Sequence, residues 1–137
     1  MINKSMIVLF LIWLSLAIGS NLIGRIEGEL FPVVVDFNYH TIEKNSRHDL
    51  AEGSNIFGSF KKLRNCNFER IKWYLVDGSG YRVRITINFN DEQIRMSGLH
   101  YFGPWSTNAT TSHLDTLSRV YIEHNCHPIW KTVTRVK

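Results

Sequence analysis

The stretch Ile71–Phe89, IKWYLVDGSGYRVRITINF, decides how this chain folds. Its first half alternates Ile71, Trp73 and Leu75 with Lys72 and Tyr74. Its second half alternates Tyr81, Val83, Ile85, Ile87 and Phe89 with Arg82, Arg84, Thr86 and Asn88. A period of two turns successive side chains to opposite faces, so each half reads as a strand with one buried face. Asp77-Gly78-Ser79-Gly80 between them is turn chemistry, and the two halves form a β-hairpin. Matching the apolar faces sets Leu75 opposite Tyr81, Trp73 opposite Val83 and Ile71 opposite Ile85; a slip of one residue would set Leu75 against Arg82. This register leaves a three-residue connection in which Gly80 takes a left-handed position.

Outward from the hairpin, Phe31–Phe37 (FPVVVDF), Ile56–Phe60, Gln93–Met96, Arg119–Cys126 and Lys131–Val136 read as further short strands. Asn38–Asn55 is polar and reads as a loop or short helix, and Gly98–Thr111 (GLHYFGPWSTNATT) as a loop around Gly103-Pro104. Short strands separated by turn signals predict an all-β domain, a small β-sandwich or barrel-like fold.

Ahead of this domain, Ser5–Gly24 carries no charge, and Met6–Ile18 (MIVLFLIWLSLAI) is almost continuously apolar behind Lys4. The segment supports two readings. Ala17-Ile18-Gly19 fits the small-x-small rule of a secretory signal cut after Gly19. The uncharged stretch is also about the 20 residues that a bilayer-spanning helix needs, which makes residues 1–24 an uncleaved anchor. Either way the remainder of the chain is exported: a linker over residues 25–30 and an extracytoplasmic β domain over residues 31–137. The domain is inner-membrane anchored in one case and periplasmic or secreted in the other.

Of 137 residues, 44% are hydrophobic and 20% charged, the composition of a globular protein. Lys4 belongs to the leader, which leaves 15 basic against 12 acidic residues and an excess too mild for a dedicated nucleic-acid binder. In an exported chain the two cysteines, Cys66 and Cys126, are expected to form one disulfide.

No motif names a reaction. His124, Cys126 and His127, with His100 or His113, are the nearest approach to a metal set, but a ligating Cys126 forfeits the disulfide, and no metal or other cofactor is expected. Asp77, Asp91, Glu92 and the histidines are the raw material for an enzyme. Two surfaces suit binding better. The polar face of the hairpin carries Arg70, Lys72, Tyr74, Arg82 and Arg84, with Lys72 set opposite Arg84 and Tyr74 opposite Arg82. Between Lys61 and Arg84 seven basic residues face only Glu69 and Asp77, a cluster suited to anionic lipid or an acidic envelope polymer. Tyr101, Trp105 and Trp130 form an aromatic set that suits a sugar or a protein partner, unless the Gly-Pro-Trp segment tucks its ring into the core.

At Phe102-Gly103-Pro104-Trp105, and again in Cys126-His127-Pro128-Ile129-Trp130-Lys131-Thr132-Val133-Thr134, the chain resembles small bacteriophage proteins that combine a membrane leader with a Cys-His-Pro-aliphatic-Trp ending. The resemblance covers the C-terminal half in pattern. It implies a phage or prophage origin and carries no activity onto any residue. The expectation is a nonenzymatic accessory protein, anchored or exported, that contacts an envelope component. A small periplasmic or secreted enzyme and a carbohydrate-binding module stand as alternatives.

Overall fold

The computed structural model describes residues 4–44, 53–89 and 95–137. A helix, α1 (Lys4–Leu30), precedes a sandwich of eight strands with one short helix between the sixth and seventh: β1 (Val34–Glu43), β2 (Ser54–Lys62), β3 (Asn67–Val76), β4 (Arg82–Arg84), β5 (Ile87–Asn88), β6 (Gly98–Thr107), α2 (Thr111–Leu117), β7 (Ser118–Asn125) and β8 (Thr132–Arg135). Sheet A has the order β1-β2-β6-β5 and sheet B the order β4-β3-β7-β8, with all pairings antiparallel. Their inner faces meet over one core. Ile56, Phe102 and Trp105 come from sheet A, and Ile71, Trp73, Val120 and Ile122 from sheet B.

Stacked and edge-on rings cross this core. Phe37 stacks on Phe102 with centroids 5.4 Å apart, Phe102 on Trp105 at 4.1 Å, and Phe89 meets Trp105 edge-on at 4.9 Å. Gly58 lies beneath the Phe102 ring, where a Cβ would come within 2.5 Å of it. Cys66 and Cys126 are bridged. They immediately precede β3 and follow β7, next to the paired Asn67 and Asn125, so the bond ties two neighbouring strands of sheet B rather than the two sheets.

The first half of the hairpin keeps its expected buried face at Ile71 and Trp73, but β4 is exposed throughout, with Tyr81 69% and Val83 49% exposed, and the register moves. Leu75 pairs with Val83 rather than Tyr81, and Tyr74 with Arg84. The cause is Asp77, whose Oδ1 accepts the N–H groups of Ser79 and Tyr81 and the Ser79 hydroxyl, so the turn closes at Asp77 and Tyr81. Gly78–Gly80 form the three-residue connection, and Gly80 has φ +84°. A second correction concerns the alternating run to Phe89. It is two strands, β4 in sheet B and β5 in sheet A, joined through buried Ile85. Period two survives the crossing because a chain that changes sheets at a corner keeps the same side toward the shared core.

Other expectations shift for similar reasons. The strand expected at Phe31–Phe37 is Val34–Glu43, running into what read as loop because Tyr39 and Thr41 continue its pairing with β2. Gly98–Thr107 is an inner strand of sheet A rather than a loop. Its register with β2 is interrupted between Ile56 and Gly58, opposite Gly103-Pro104, which absorbs the N–H that proline lacks. Arg95 and Met96 of the strand expected at Gln93–Met96 are not in a strand, and the rest of it lies outside the described residues, as do residues 45–52. Residues 25–30 are not a linker. They are the last turns of α1, held because the helix continues unbroken onto β8.

Candidate functional site

Two surfaces meet where α1 reaches the sandwich. The first is the outer face of sheet B. Alternation sends Arg70, Lys72 and Tyr74 of β3 outward, with Arg119, Tyr121 and Glu123 of β7 and Val133 and Arg135 of β8 beside them. Lys72 lies across from Tyr121, and Tyr121 from Arg135; Tyr74 lies between Arg84 and Arg119. Lys72 is therefore not opposite Arg84, nor Tyr74 opposite Arg82, because the shifted hairpin register sets Arg82 beside Val76.

The basic residues on this face differ in what they already hold. Glu123, 7% exposed, takes Arg70 Nε at 3.2 Å and the Lys72 ammonium. Glu69 takes Lys131 Nζ, Arg70 Nη2 at 3.0 Å and Asn125 Nδ2. Those three donors hold its carboxyl at about 2. Arg82, Arg84 and Arg135 have no carboxylate partner among the described residues, and neither does Arg25 of α1. Of the five hairpin residues expected to meet an anion, two are thus spent on internal ion pairs. Arg25, Arg119, Arg135 and Tyr121 join the surface from elements that the hairpin reading did not include.

The second surface is the junction itself. Gly24 and Gly28 are the buried residues of α1. A Cβ at Gly24 would run into the Lys131 carbonyl oxygen, and one at Gly28 into that of Val133, so two glycines four residues apart let the helix lie directly on the β8 backbone. Between them Glu27, beyond the uncharged stretch, anchors the contact. Its Oε1 takes Arg64 Nη2 at 2.8 Å and lies 2.9 Å from His127 Nε2; its Oε2 takes Trp130 Nε1 at 3.0 Å and Thr132 Oγ1 at 2.8 Å. Burial pushes this carboxyl up, but the Trp130, His127, Thr132 and Arg64 contacts prevail and hold it at about 2. The signal for this dock in the sequence is Gly24-x-x-x-Gly28, which straddles the expected leader and linker.

Before the junction the helix is exposed. Every residue from Met6 to Trp13 is at least 46% exposed. The helix is long and apolar enough to cross a membrane, and none of its most apolar window is buried. Its 27 residues extend about 40 Å, which exceeds a hydrocarbon core of about 30 Å and leaves the last turns for the dock.

The aromatic candidates separate. Trp105 is 7% exposed in the core, as the tucked-ring alternative has it, and Trp130 is held by Glu27 and packs on His127 at 4.7 Å. Tyr101 is 73% exposed on the outer face of sheet A, the face that also carries the stacked rings of His40 and Phe57. The histidines separate too. His124 is 2% exposed between the sheets, His127 is at the junction, and His100 Nε2 contacts the Met96 carbonyl at 2.7 Å. Among the described residues no three His, Cys, Asp or Glu side chains gather as a metal ion requires. Asp77 is engaged in its turn, and Asp91 and Glu92 lie outside the described residues.

Buried Lys62 neighbours His124 in lining a cavity of about 40 Å³ between the sheets. Its Nζ donates to the carbonyls of Cys66, at 2.7 Å, and Arg95, and burial lowers its pKa. Burial first, then the charges of Lys62 and Arg64, hold His124 down at about 4.

Compared with protein-family models, with curated proteins and with solved structures, the chain matches none of them.

Proposed function

We propose that this is a nonenzymatic accessory protein, encoded by a bacteriophage and anchored by α1 in the bacterial inner membrane, whose β domain lies outside the cytoplasm and contacts an envelope component through the outer face of sheet B. One observation carries the reading: an apolar helix whose most apolar window is unburied runs without a break into a disulfide-bridged sandwich and docks beside its basic face. The disulfide supports an oxidising compartment. The continuity of the helix through Gly19 and its use of Gly24, Glu27 and Gly28 as part of the domain support retention of the anchor. The C-terminal resemblance supports the phage origin.

Expression of the full chain followed by fractionation and intact mass tests the anchor. Residues 1–19 are expected to remain, in a carbonate-resistant membrane fraction, with the domain cleaved only by protease added from outside the cytoplasm. A soluble product beginning at Ser20 would replace the anchored reading with a diffusible one. A carbohydrate-binding role is favoured by one separate observation, the exposed Tyr101 on the face that carries the 5.5 Å His40–Phe57 ring stack. Glycan binding lost in Tyr101→Ala would select it.

A further inference from the structure

We propose that the groove between α1 and the outer face of sheet B is a binding site for a phosphate group, and that the phosphodiester of an anionic phospholipid occupies it. The inference rests on the anchored reading and names the partner of the basic face. The groove holds about 430 Å³, within the range of small-ligand sites. Arg25, Arg82 and Arg135 line it, and no carboxylate among the described residues pairs with them. Its acids are Glu29 and Glu123, and Glu123 already holds Arg70 and Lys72. Glu29 has no ion-pair partner among the described residues either, so the uncommitted charge is three guanidinium groups against one carboxylate. The excess is positive, and the forked donors of guanidinium match phosphate oxygens in pairs.

Depth selects the source of the phosphate. The uncharged stretch from Ser5 to Gly24 has about the length of a hydrocarbon-spanning segment, so Arg25, the first charge after it, falls at the headgroup layer. Asn21, Arg25 and Glu29, spaced by four along the helix, all line the groove, which places its helical wall across that layer. A basic pocket at the foot of a membrane helix is suited to a lipid headgroup.

The test uses the full chain in nanodiscs of phosphatidylcholine, titrated with short-chain phosphatidylglycerol and read by native mass spectrometry. Binding of a single phosphatidylglycerol is expected, weakened about tenfold by each of Arg25→Gln, Arg82→Gln and Arg135→Gln. Arg84→Gln, on β4 but outside the groove, is expected to change it less than twofold. Circular dichroism and an intact disulfide confirm that each variant is folded. Displacement of the lipid by inorganic phosphate supports the phosphate site and assigns it a soluble source. Equal losses in Arg82→Gln and Arg84→Gln, or no preference for phosphatidylglycerol over phosphatidylcholine, overturn the proposal by showing diffuse attraction or none. A cleaved leader would refute the anchor and with it the depth argument for a lipid source, whereas the groove itself, whose residues all lie in a product from Ser20 onward, would still be tested by the Arg25, Arg82 and Arg135 variants against soluble phosphate.

Discussion

The two outer faces of the sandwich arise from the same strand alternation and carry different chemistry. Sheet A turns His40, Phe57, Leu99 and Tyr101 outward, whereas sheet B turns out Arg70, Lys72, Arg119 and Arg135 around one buried acid, Glu123. The first is largely uncharged; the second is basic and lies beside the membrane helix. A period of two decides only which side chains face the core. The outward residues are left to respond to their neighbours, and on sheet B those neighbours are α1 and the carboxylates that neutralise part of the charge. Sheet B is also the sheet tied by the disulfide and covered along β8 by the helix.

The most severe way to break this asymmetry is to remove the bridge. Cys66→Ser with Cys126→Ser should lower the stability of the full chain in urea by about 4 kcal/mol. Hydrogen exchange should show β3 and β7 losing protection before β1 and β2. Simultaneous loss in both sheets would mean that the bridge supports the sandwich as one unit.

Acid should act next, and in two stages. His124 has a folded pKa depressed to about 4, so its contribution is complete above its ordinary value of 6.5 and is lost as pH falls through 4. Glu27, depressed to about 2, contributes fully above its ordinary value of 4.5 and is lost as pH falls through 2. The interior of the sandwich should therefore respond at higher pH than the junction. The Glu27 stage is worth on the order of 2 to 3 kcal/mol. The Trp130 indole N–H resonance should move only in the lower window, and Glu27→Gln should abolish that movement.

Gly28→Val should cost about 2 kcal/mol by forcing a side chain against the Val133 carbonyl, and should open residues 25–33 to protease. Gly19→Val, where an added Cβ meets nothing within 4 Å, should leave digestion unchanged. Glu123→Gln should lose about 1 kcal/mol while freeing Lys72 and leaving Arg70 with Glu69 alone, and binding to phosphatidylglycerol vesicles should rise a few-fold. The smallest effect is expected on the opposite face. Tyr101→Ala should change stability by less than about 0.5 kcal/mol and vesicle binding not at all, and a clear loss of vesicle binding would dissolve the contrast between the faces.

How much of this was legible depends on the range of each signal. The pattern in Ile71–Phe89 identified a hairpin and the buried side of its first half because period two is local; that Tyr81 and Val83 stay exposed was not readable, because it depends on β4 being the edge of its sheet. It did not reveal the crossing at Ile85, since both sheets face the same core and the alternation is identical with or without the corner. Gly98–Thr107 was hidden by Gly103-Pro104, which marks a loop unless the strand can bulge there, and β6 does, setting these two residues against the single Phe57 of β2. Of the basic candidates, charge type was readable at every position, but that Lys72 is held while Arg82 is not depends on Glu123, far away along the chain.

What the amino-acid order determined by itself was therefore an apolar helix of membrane-spanning length, a domain of amphipathic strands and a cysteine pair suited to one bridge. Each depends on composition or on spacing within a single element. The tertiary structure alone decided which sheet each strand joins, that Gly24, Glu27 and Gly28 bind the helix to β8, and which arginines remain uncommitted beside it. Those outcomes depend on distances between segments remote in sequence, where a backbone oxygen or a carboxylate either lies within reach or does not.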